Sequence, residues 1–328
     1  LANVQAYFEK FVSRIRLNLE ENQMLRGKRD FVIRRIESRL PGIFRSEDLV
    51  CPPFWFRNQG SYQMGTGTLP VGRDFDIDLG LYFEMDPDDI LPVDMKRLVH
   101  GALKGYTKEV LIRRPCITVK YQTLPCHVDI AVYCDGSMSR DGLPRLAMGK
   151  NRSGEEFCGW EVSDAMALNS EIFGSYAEDE LRQFRRIVRY LKRWKDVSFA
   201  AEGNAAPRGI ALTVASHEYF TFRCFRDGTP DDLDALTEVV QGMLNSFTVR
   251  PLRWWVLGGD SHTVTITLPV EPHTDLCERM SALQVKNFYE ELKRLLDALE
   301  IAGRGRSAAK ACSVLQGVFG GDFPGPAA

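Results

Sequence analysis

An α+β fold is predicted, with a mixed sheet in the first half of the chain and a mostly helical second half. Three observations carry this. Residues 74–83 read DFDIDLGLYF, in which Phe75, Ile77, Leu79, Leu81 and Phe83 alternate with Asp74, Asp76, Asp78, Gly80 and Tyr82; a period of two marks a half-buried strand. Residues 127–133 (HVDIAVY) repeat the alternation, with Val128, Ile130 and Val132 on one face and His127, Asp129, Ala131 and Tyr133 on the other. Residues 178–195 carry Leu181, Phe184, Ile187, Val188, Leu191 and Trp194 as an apolar stripe at helical spacing, and helical patterns dominate from about residue 160 onward.

In chain order, residues 2–25 are predicted as a helix, because Val4, Phe8, Phe11, Val12, Ile15 and Leu19 recur at three- and four-residue spacing. A second helix over 28–40 is expected to stop at Leu40-Pro41-Gly42. Residues 54–59 (FWFRNQ) read as a short strand running into Gly60; the strand at 74–84 follows and is broken by Asp86-Pro87-Asp88-Asp89. A helix over 93–112 leads to strands at 116–121, 127–133 and 145–148. In the helix at 178–195, Glu178, Asp179 and Glu180 fall in the first turn, where negative charge suits the macrodipole. Further helices are expected near 209–222, 231–245, 275–300 and 307–316, with one strand-like run at 263–268 (TVTITL). Trp194 and Trp254-Trp255 are expected in the core. The boundaries read as a sheet-bearing lobe with N-terminal helices over 1–160, a helical lobe over 161–319, and a flexible tail over 320–328 (GGDFPGPAA).

With 328 residues, 44% of them hydrophobic and 26% charged, the chain can bury a large core in one or two domains. A net charge of -2 and a pI of about 6.3 argue against an obligate nucleic-acid partner and against a membrane surface. No apolar run is long enough to predict a spanning helix. The N-terminal stretch is charged throughout and lacks a signal peptide's apolar region, so a cytoplasmic location is expected. The eight cysteines are scattered and form no C-x2-C pair. Cys126-His127 with Cys116 and Cys134 fits no common zinc spacing, and reduced core thiols are the better reading.

Asp76 and Asp78 lie two apart on a strand and so project to one side. Carboxylates so placed suit magnesium, which takes oxygen ligands and bridges carboxylates to substrate phosphates. Asp129 joins them if its strand pairs beside 74–84, completing a site and offering a group to receive a nucleophile's proton. Gly60-Ser61 supplies the complementary part, since glycine lets backbone approach a phosphate and N–H groups with a serine hydroxyl favour anions. Gly65 and Gly67 predict a tight turn after it. Taken alone, Asp76 and Asp78 read as a solvated pair and Gly60-Ser61 as an ordinary turn; their order and distance give them weight. His127 reads as a surface or satisfied histidine. Arg182, Arg185, Arg186, Arg189, Lys192, Arg193 and Lys195 read as a solvated helix face from which at least one side chain reaches phosphate.

Gly60-Ser61, then Asp76-Ile77-Asp78, then Asp129 in an alternating strand resembles the polymerase-β-type nucleotidyltransferase signature. QGSYQMGT at 59–66, DFDIDLGLYF, and LRQFRRIVRYLKRWKD at 181–196 narrow the resemblance to the cGAS/DncV-like nucleotidyltransferases (CD-NTases), bacterial synthases of cyclic oligonucleotide second messengers in anti-phage (CBASS) defence. The resemblance covers roughly residues 1–250, and LQGVFGGDFP at 315–324 is also similar to the end of such proteins.

That resemblance implies a polymerase-β-like nucleotidyltransferase lobe whose active-site cleft the helical lobe completes. It implies Asp76, Asp78 and Asp129 as the catalytic ligands of two Mg2+ ions, with Mn2+ able to substitute. Gly60 and Ser61 would hold the donor triphosphate, flanked by Gln59 and Tyr62, with Lys192 and Lys195 as basic contacts. The implied substrates are nucleoside triphosphates, ATP and/or GTP, and the product is a cyclic di- or trinucleotide read by an effector from the same operon. In some operons the C-terminus is conjugated to other molecules, and the tail here is open to that. Pro207-Arg208-Gly209 stands where many relatives carry a Ser-Ser pair, so no serine contact carries over. The gap from Ser61 to Asp76 exceeds the minimal family pattern and predicts an enlarged loop at 64–73. Two other readings remain: transfer to an RNA end, a protein or a small molecule, and a nucleotide-binding module without turnover.

Overall fold

The computed structural model describes residues 3–71, 75–122, 126–150, 158–199, 206–251 and 260–325. The chain divides into two compact units, one of Leu17–Asn169 with Val270–Pro272 and one of Leu1–Arg16, Ser170–Pro269 and His273–Ala328. Leu1–Arg16 therefore groups with the helical unit, whereas the sequence reading places it with the sheet.

The N-terminal helices are α1 (Gln5–Ile15) and α2 (Leu19–Ser46), in place of the predicted 2–25 and 28–40. The break falls at Asn18. Its side chain accepts the Glu21 N–H, and the Glu21 carboxylate accepts the Asn18 N–H, each at 2.8 Å. This reciprocal cap starts a helix where the apolar spacing alone continues one; Leu19, counted in that spacing, is exposed. The expected stop at Pro41 fails because the buried series Leu25, Val32, Ile36, Leu40 continues to Phe44, which packs on Phe83. A proline in a helix costs about 3 kcal/mol, which burial of a further core aromatic and its neighbours largely offsets.

In the sheet unit the strands are β1 (Phe54–Asn58), β2 (Phe75–Phe83), β3 (Glu109–Ile112), β4 (Ile117–Tyr121), β5 (Cys126–Cys134), β6 (Arg145–Met148) and β7 (Gly159–Val162). Their order is β1-β2-β5-β4-β3, with β6 on β5 and β7 on β6. Only the β2–β5 pair is parallel, so the sheet is mixed as expected. A short helix, α3 (Gly60–Met64), lies between β1 and β2, and α4 (Pro92–Leu103) begins the crossover from β2 to β5. The predicted helix at 93–112 thus ends early. Gly105 takes a left-handed φ of 75°, and the apolar Val110-Leu111-Ile112 pairs with β4 instead. Short apolar runs serve either period, and here the neighbouring strand decides. The core lies on one face of the sheet, where Ile77, Leu79, Leu81, Val128, Ile130 and Val132 meet Val32, Ile36, Met95 and Val99.

Lys96 is fully buried on α4, and its ammonium donates to the Arg113, Arg114 and Gly149 carbonyls at 3.0, 2.8 and 2.5 Å. It ties α4 to the β3–β4 turn and to the end of β6. Burial pushes its pKa down to about 8. Lys96→Met strands these acceptors, at about 1–3 kcal/mol per buried group less the relief of an unburied charge. We expect a loss of about 2 kcal/mol by urea unfolding at pH 7. Between pH 8 and 10.5 the unfolded chain holds the Lys96 proton that the folded chain has released, so wild-type stability rises relative to the variant across that window.

The helical unit packs on α6 (Glu178–Ser198), whose Phe184, Ile187, Val188, Leu191 and Trp194 are fully buried. The chain enters α6 from α5 (Ala165–Gly174), which the sequence reading omits, and continues through α7 (Gly209–Tyr219), α8 (Asp232–Asn245), the hairpin of β8 (Thr248–Pro251) with β9 (Asp260–Thr263), α9 (Ala282–Arg304) and α10 (Ala308–Phe319). Asp232, fully buried, accepts a two-pronged bond from Arg186 (2.7 Å to each oxygen) and one from the Tyr190 hydroxyl (2.8 Å). Phe11 of α1 stacks on Tyr190 at 5.3 Å, which explains why α1 belongs to this unit.

Two sequence expectations change here. The run 263–268 is not a continuous strand. Val264 and Ile266 do point inward, but the segment is satisfied by a returning loop, with the Leu276 N–H donating to the Ile266 carbonyl and the Ile266 N–H to the Asp275 side chain. The tail is anchored as far as it is described: Phe323 is fully buried against Phe8, Phe11 and Phe319, and Asp322 pairs with Arg193 at 2.8 Å. One aromatic in a Gly- and Pro-rich stretch outweighs the composition. Residues 326–328 and Trp254-Trp255 lie outside the described residues.

Candidate active site

The parallel register of β2 and β5 sets Asp78 opposite Asp129 and Asp76 opposite His127. Neighbouring strands lie about 4.8 Å apart and cross-strand partners share a face. Asp76, Asp78, His127 and Asp129 therefore project together from the face opposite the core. Asp76 is exposed, and Asp78 and Asp129 are half-buried. Asp129 Oδ1 is buried with no hydrogen-bond partner among the described residues, while its Oδ2 stands 4.0 Å from His127 Nε2. Among the described residues, no three His, Cys, Asp or Glu side chains converge closely enough to form a metal cage. The strand register, rather than a ready-made cage, brings the three carboxylates to one place.

The Gly60-Ser61 turn meets this face directly. Gly60 has a φ of 61°, and a Cβ added to it would fall inside the Asp78 carboxylate, 2.7 Å from Cγ. The Gln59 N–H donates to the Asp78 carbonyl at 3.0 Å, and the Thr66 N–H to the Ser61 carbonyl at 2.9 Å. The turn ends at Gly65, again left-handed (φ 64°). The backbone thus approaches the Asp78 side chain as closely as a glycine permits, which places the bend beside a carboxylate. Residues 72 and 73 of the predicted enlarged loop lie outside the described residues.

Toward the C-terminal ends of the same strands this face is dry. Tyr82 stacks on Tyr133 with centroids 4.5 Å apart and planes 9° apart, and Trp55 stacks on Tyr82 at 4.3 Å. Gln59 is buried, its Nε2 donating to the Tyr82 hydroxyl at 2.7 Å and its Oε1 accepting from the Tyr133 hydroxyl at 3.4 Å. Its side chain is therefore engaged inside the protein, while its backbone leads directly into Gly60. Tyr62 receives the Arg26 Nε–H at 2.5 Å. Burial raises the pKa values of Tyr82 and Tyr133 above the usual phenol value. Sequence reasoning missed this support, yet a signal was present. Both strands repeat Asp, one apolar residue, one small residue, one apolar residue, Tyr: Asp78-Leu79-Gly80-Leu81-Tyr82 and Asp129-Ile130-Ala131-Val132-Tyr133.

The cysteines fit no zinc site here. Cys126 and Cys134 take the core positions of β5, whereas His127 points to the opposite face. Cys116 lies near Asp129, and burial together with that carboxylate pushes its thiol up to about 12. Lys192 and Lys195 belong to the helical unit. Lys192 Cε lies 3.7 Å from where a Cβ on Gly209 would stand, at the start of α7, and Lys195 pairs with Asp196 at 3.2 Å.

Comparison with known proteins agrees with this geometry. Residues 54–133, from β1 through the Tyr of β5, match the family described as cyclic GMP-AMP synthase DncV-like, nucleotidyltransferase domain. The fold of the whole chain is similar to that of Vibrio cholerae DncV cyclic AMP-GMP synthase, described as a prokaryotic cGAS homolog, with a TM-score of 0.75 at 16% identity over 98% of this chain and 97% of that one. The same Vibrio protein in complex with nonhydrolyzable GTP gives 0.76 at 17% identity, over 98% and 97%. Escherichia coli DncV in its 3'-deoxy GTP bound form gives 0.71 at 17% identity, over 95% and 94%.

Proposed function

We propose that this chain, a DncV-like nucleotidyltransferase, joins nucleoside triphosphates into a cyclic di- or trinucleotide with release of pyrophosphate. The observation that carries the reading is the seating of Gly60 against the Asp78 carboxylate with Asp129 in register beside it. A bend that accepts phosphate oxygens and a pair of strand-borne carboxylates are the parts phosphoryl transfer needs. ATP and GTP are the proposed substrates, by analogy with Vibrio DncV, of which one structure holds both.

The residues fit divalent cations. Asp129 Oδ1 has unused lone pairs in a buried position, and Asp76, Asp78 and Asp129 offer the oxygen donors that Mg2+ or Mn2+ accepts. Two such ions would neutralise charge on the transferred phosphoryl group and lower the pKa of the attacking ribose hydroxyl. The chain's own part is positional. Gly60 and Ser61 hold the donor triphosphate, Asp78 and Asp129 fix the acceptor side, and Asp129 Oδ1 can receive the hydroxyl proton. Lys192 and Lys195 are proposed as further phosphate contacts. The product is proposed to signal in anti-phage defence through an effector encoded nearby.

Incubation with all four NTPs and Mg2+ or Mn2+, then phosphatase treatment and mass spectrometry, tests this. A phosphatase-resistant cyclic product is expected. A lengthened RNA, a nucleotidylated protein or a small-molecule adduct in its place would redirect the reading to another acceptor, and intact NTPs would overturn it.

A further inference from the structure

We infer that Gln59 is a positioning residue for nucleotidyl transfer: its one buried amide couples the Gly60-Ser61 turn to both carboxylate strands. The inference rests on the transfer reading above and deepens it. Through its backbone, Gln59 donates to the Asp78 carbonyl at 3.0 Å and leads directly into Gly60. Through its side chain it donates to Tyr82 of β2 and accepts from Tyr133 of β5. Those tyrosines are cross-strand partners, as are Asp78 and Asp129 four residues before them. A single side chain thus reports the relative position of β2 and β5 to the turn.

The fit is specific for an amide. Tyr82 and Tyr133 stay protonated through the working pH range, so the Tyr133 hydroxyl has a proton for Oε1 and the Tyr82 hydroxyl has a lone pair for Nε2. Gly80 leaves the space. A Cβ there would stand 2.5 Å from Gln59 Nε2 and 2.6 Å from Tyr82 Cε2. The stacked rings of Trp55, Tyr82 and Tyr133 hold both hydroxyls in place. A loosened Gln59 frees the bend to drift against Asp78, and a displacement of about 1 Å between reacting groups costs on the order of a hundredfold in rate.

The test separates positioning from stability. Gln59→Met keeps the volume and loses both hydrogen bonds, leaving the buried Tyr82 hydroxyl without its Gln59 donor and the Tyr133 hydroxyl with Ser163 in place of the amide; its kcat should fall about 10- to 100-fold, and its melting temperature should also drop. The triple variant Gln59→Met/Tyr82→Phe/Tyr133→Phe removes the amide and both hydroxyls while keeping the stack, and leaves only the partly exposed Ser163, the other partner of Tyr133. Replacing both sides of a buried hydrogen bond by apolar groups restores stability, so its melting temperature should recover while kcat stays low. Recovery of kcat together with melting temperature in the triple variant would reduce Gln59 to a structural role and overturn the inference alone. A wild-type protein that makes no nucleotidyl product would overturn the transfer reading itself, and the inference with it.

Discussion

Asp78→Asn and Asp129→Asn should each cut product formation by about a thousandfold or more, equivalent to roughly 4 kcal/mol of transition-state stabilisation, and Asp76→Asn should do the same. The amide keeps the shape of the carboxylate and removes the charge that a divalent cation requires. The effect should be catalytic rather than structural. Asp78 and Asp129 are cross-strand partners on a partly wet face, and like charges facing each other across a ladder are destabilising. Either substitution therefore leaves the metal-free melting temperature unchanged or raises it. The stabilisation that wild-type protein gains from added Mg2+ should shrink in the same variants, as mass action dictates when a ligand loses affinity for the folded state. Near-normal turnover in any of the three would refute the metal assignment, and a lower metal-free melting temperature would show the carboxylates to be structural.

Much of this arrangement was legible in the sequence because period two is an unambiguous signal where one face is buried. DFDIDLGLYF and HVDIAVY located both strands and put Asp76, Asp78 and Asp129 on the non-core face. What alternation cannot show is which strand pairs with which, and in what register. The parallel β2–β5 pair depends on a crossover through α4, β3 and β4, and α4 itself ends at Leu103 rather than at 112. Alternation also treats a face as uniform. Asp76 is exposed while Tyr82, on the same face, is fully buried under Trp55. The stack of Trp55, Tyr82 and Tyr133 closes that end, and it joins residues far apart in sequence. Pro41 and the GGDFP segment depart from their local signals for a common reason. A breaker in the sequence carries no information on the tertiary burial of Phe44 and Phe323 that overrides it. The Gly60-Ser61 bend lay at the opposite extreme, visible as a motif but mute about its neighbour until the Asp78 carboxylate appeared against its Cα.

That contact sets up the second large effect, Gly60→Ala. Two costs can be separated. Alanine at a left-handed φ of 61° loses about 1–2 kcal/mol of stability whatever surrounds it. The added methyl also collides with the Asp78 carboxylate. A carboxylate is the far end of a flexible side chain, so the fold can yield by turning Asp78 aside, and the damage passes from stability to chemistry. Asp78 then leaves the position that Asp129 and the bend require, and turnover should fall at least about a hundredfold. Gly105→Ala supplies the control. Gly105 has a similar φ of 75°, and a Cβ there meets nothing within 4 Å. It should show the same backbone cost in urea unfolding with turnover unchanged. If Gly60→Ala lost no more activity than Gly105→Ala, the closeness of the bend to Asp78 would have no catalytic meaning. If Gly60→Ala is inactive but regains part of its rate when Asp78 is replaced by the longer Glu, the displaced carboxylate is identified as the cause.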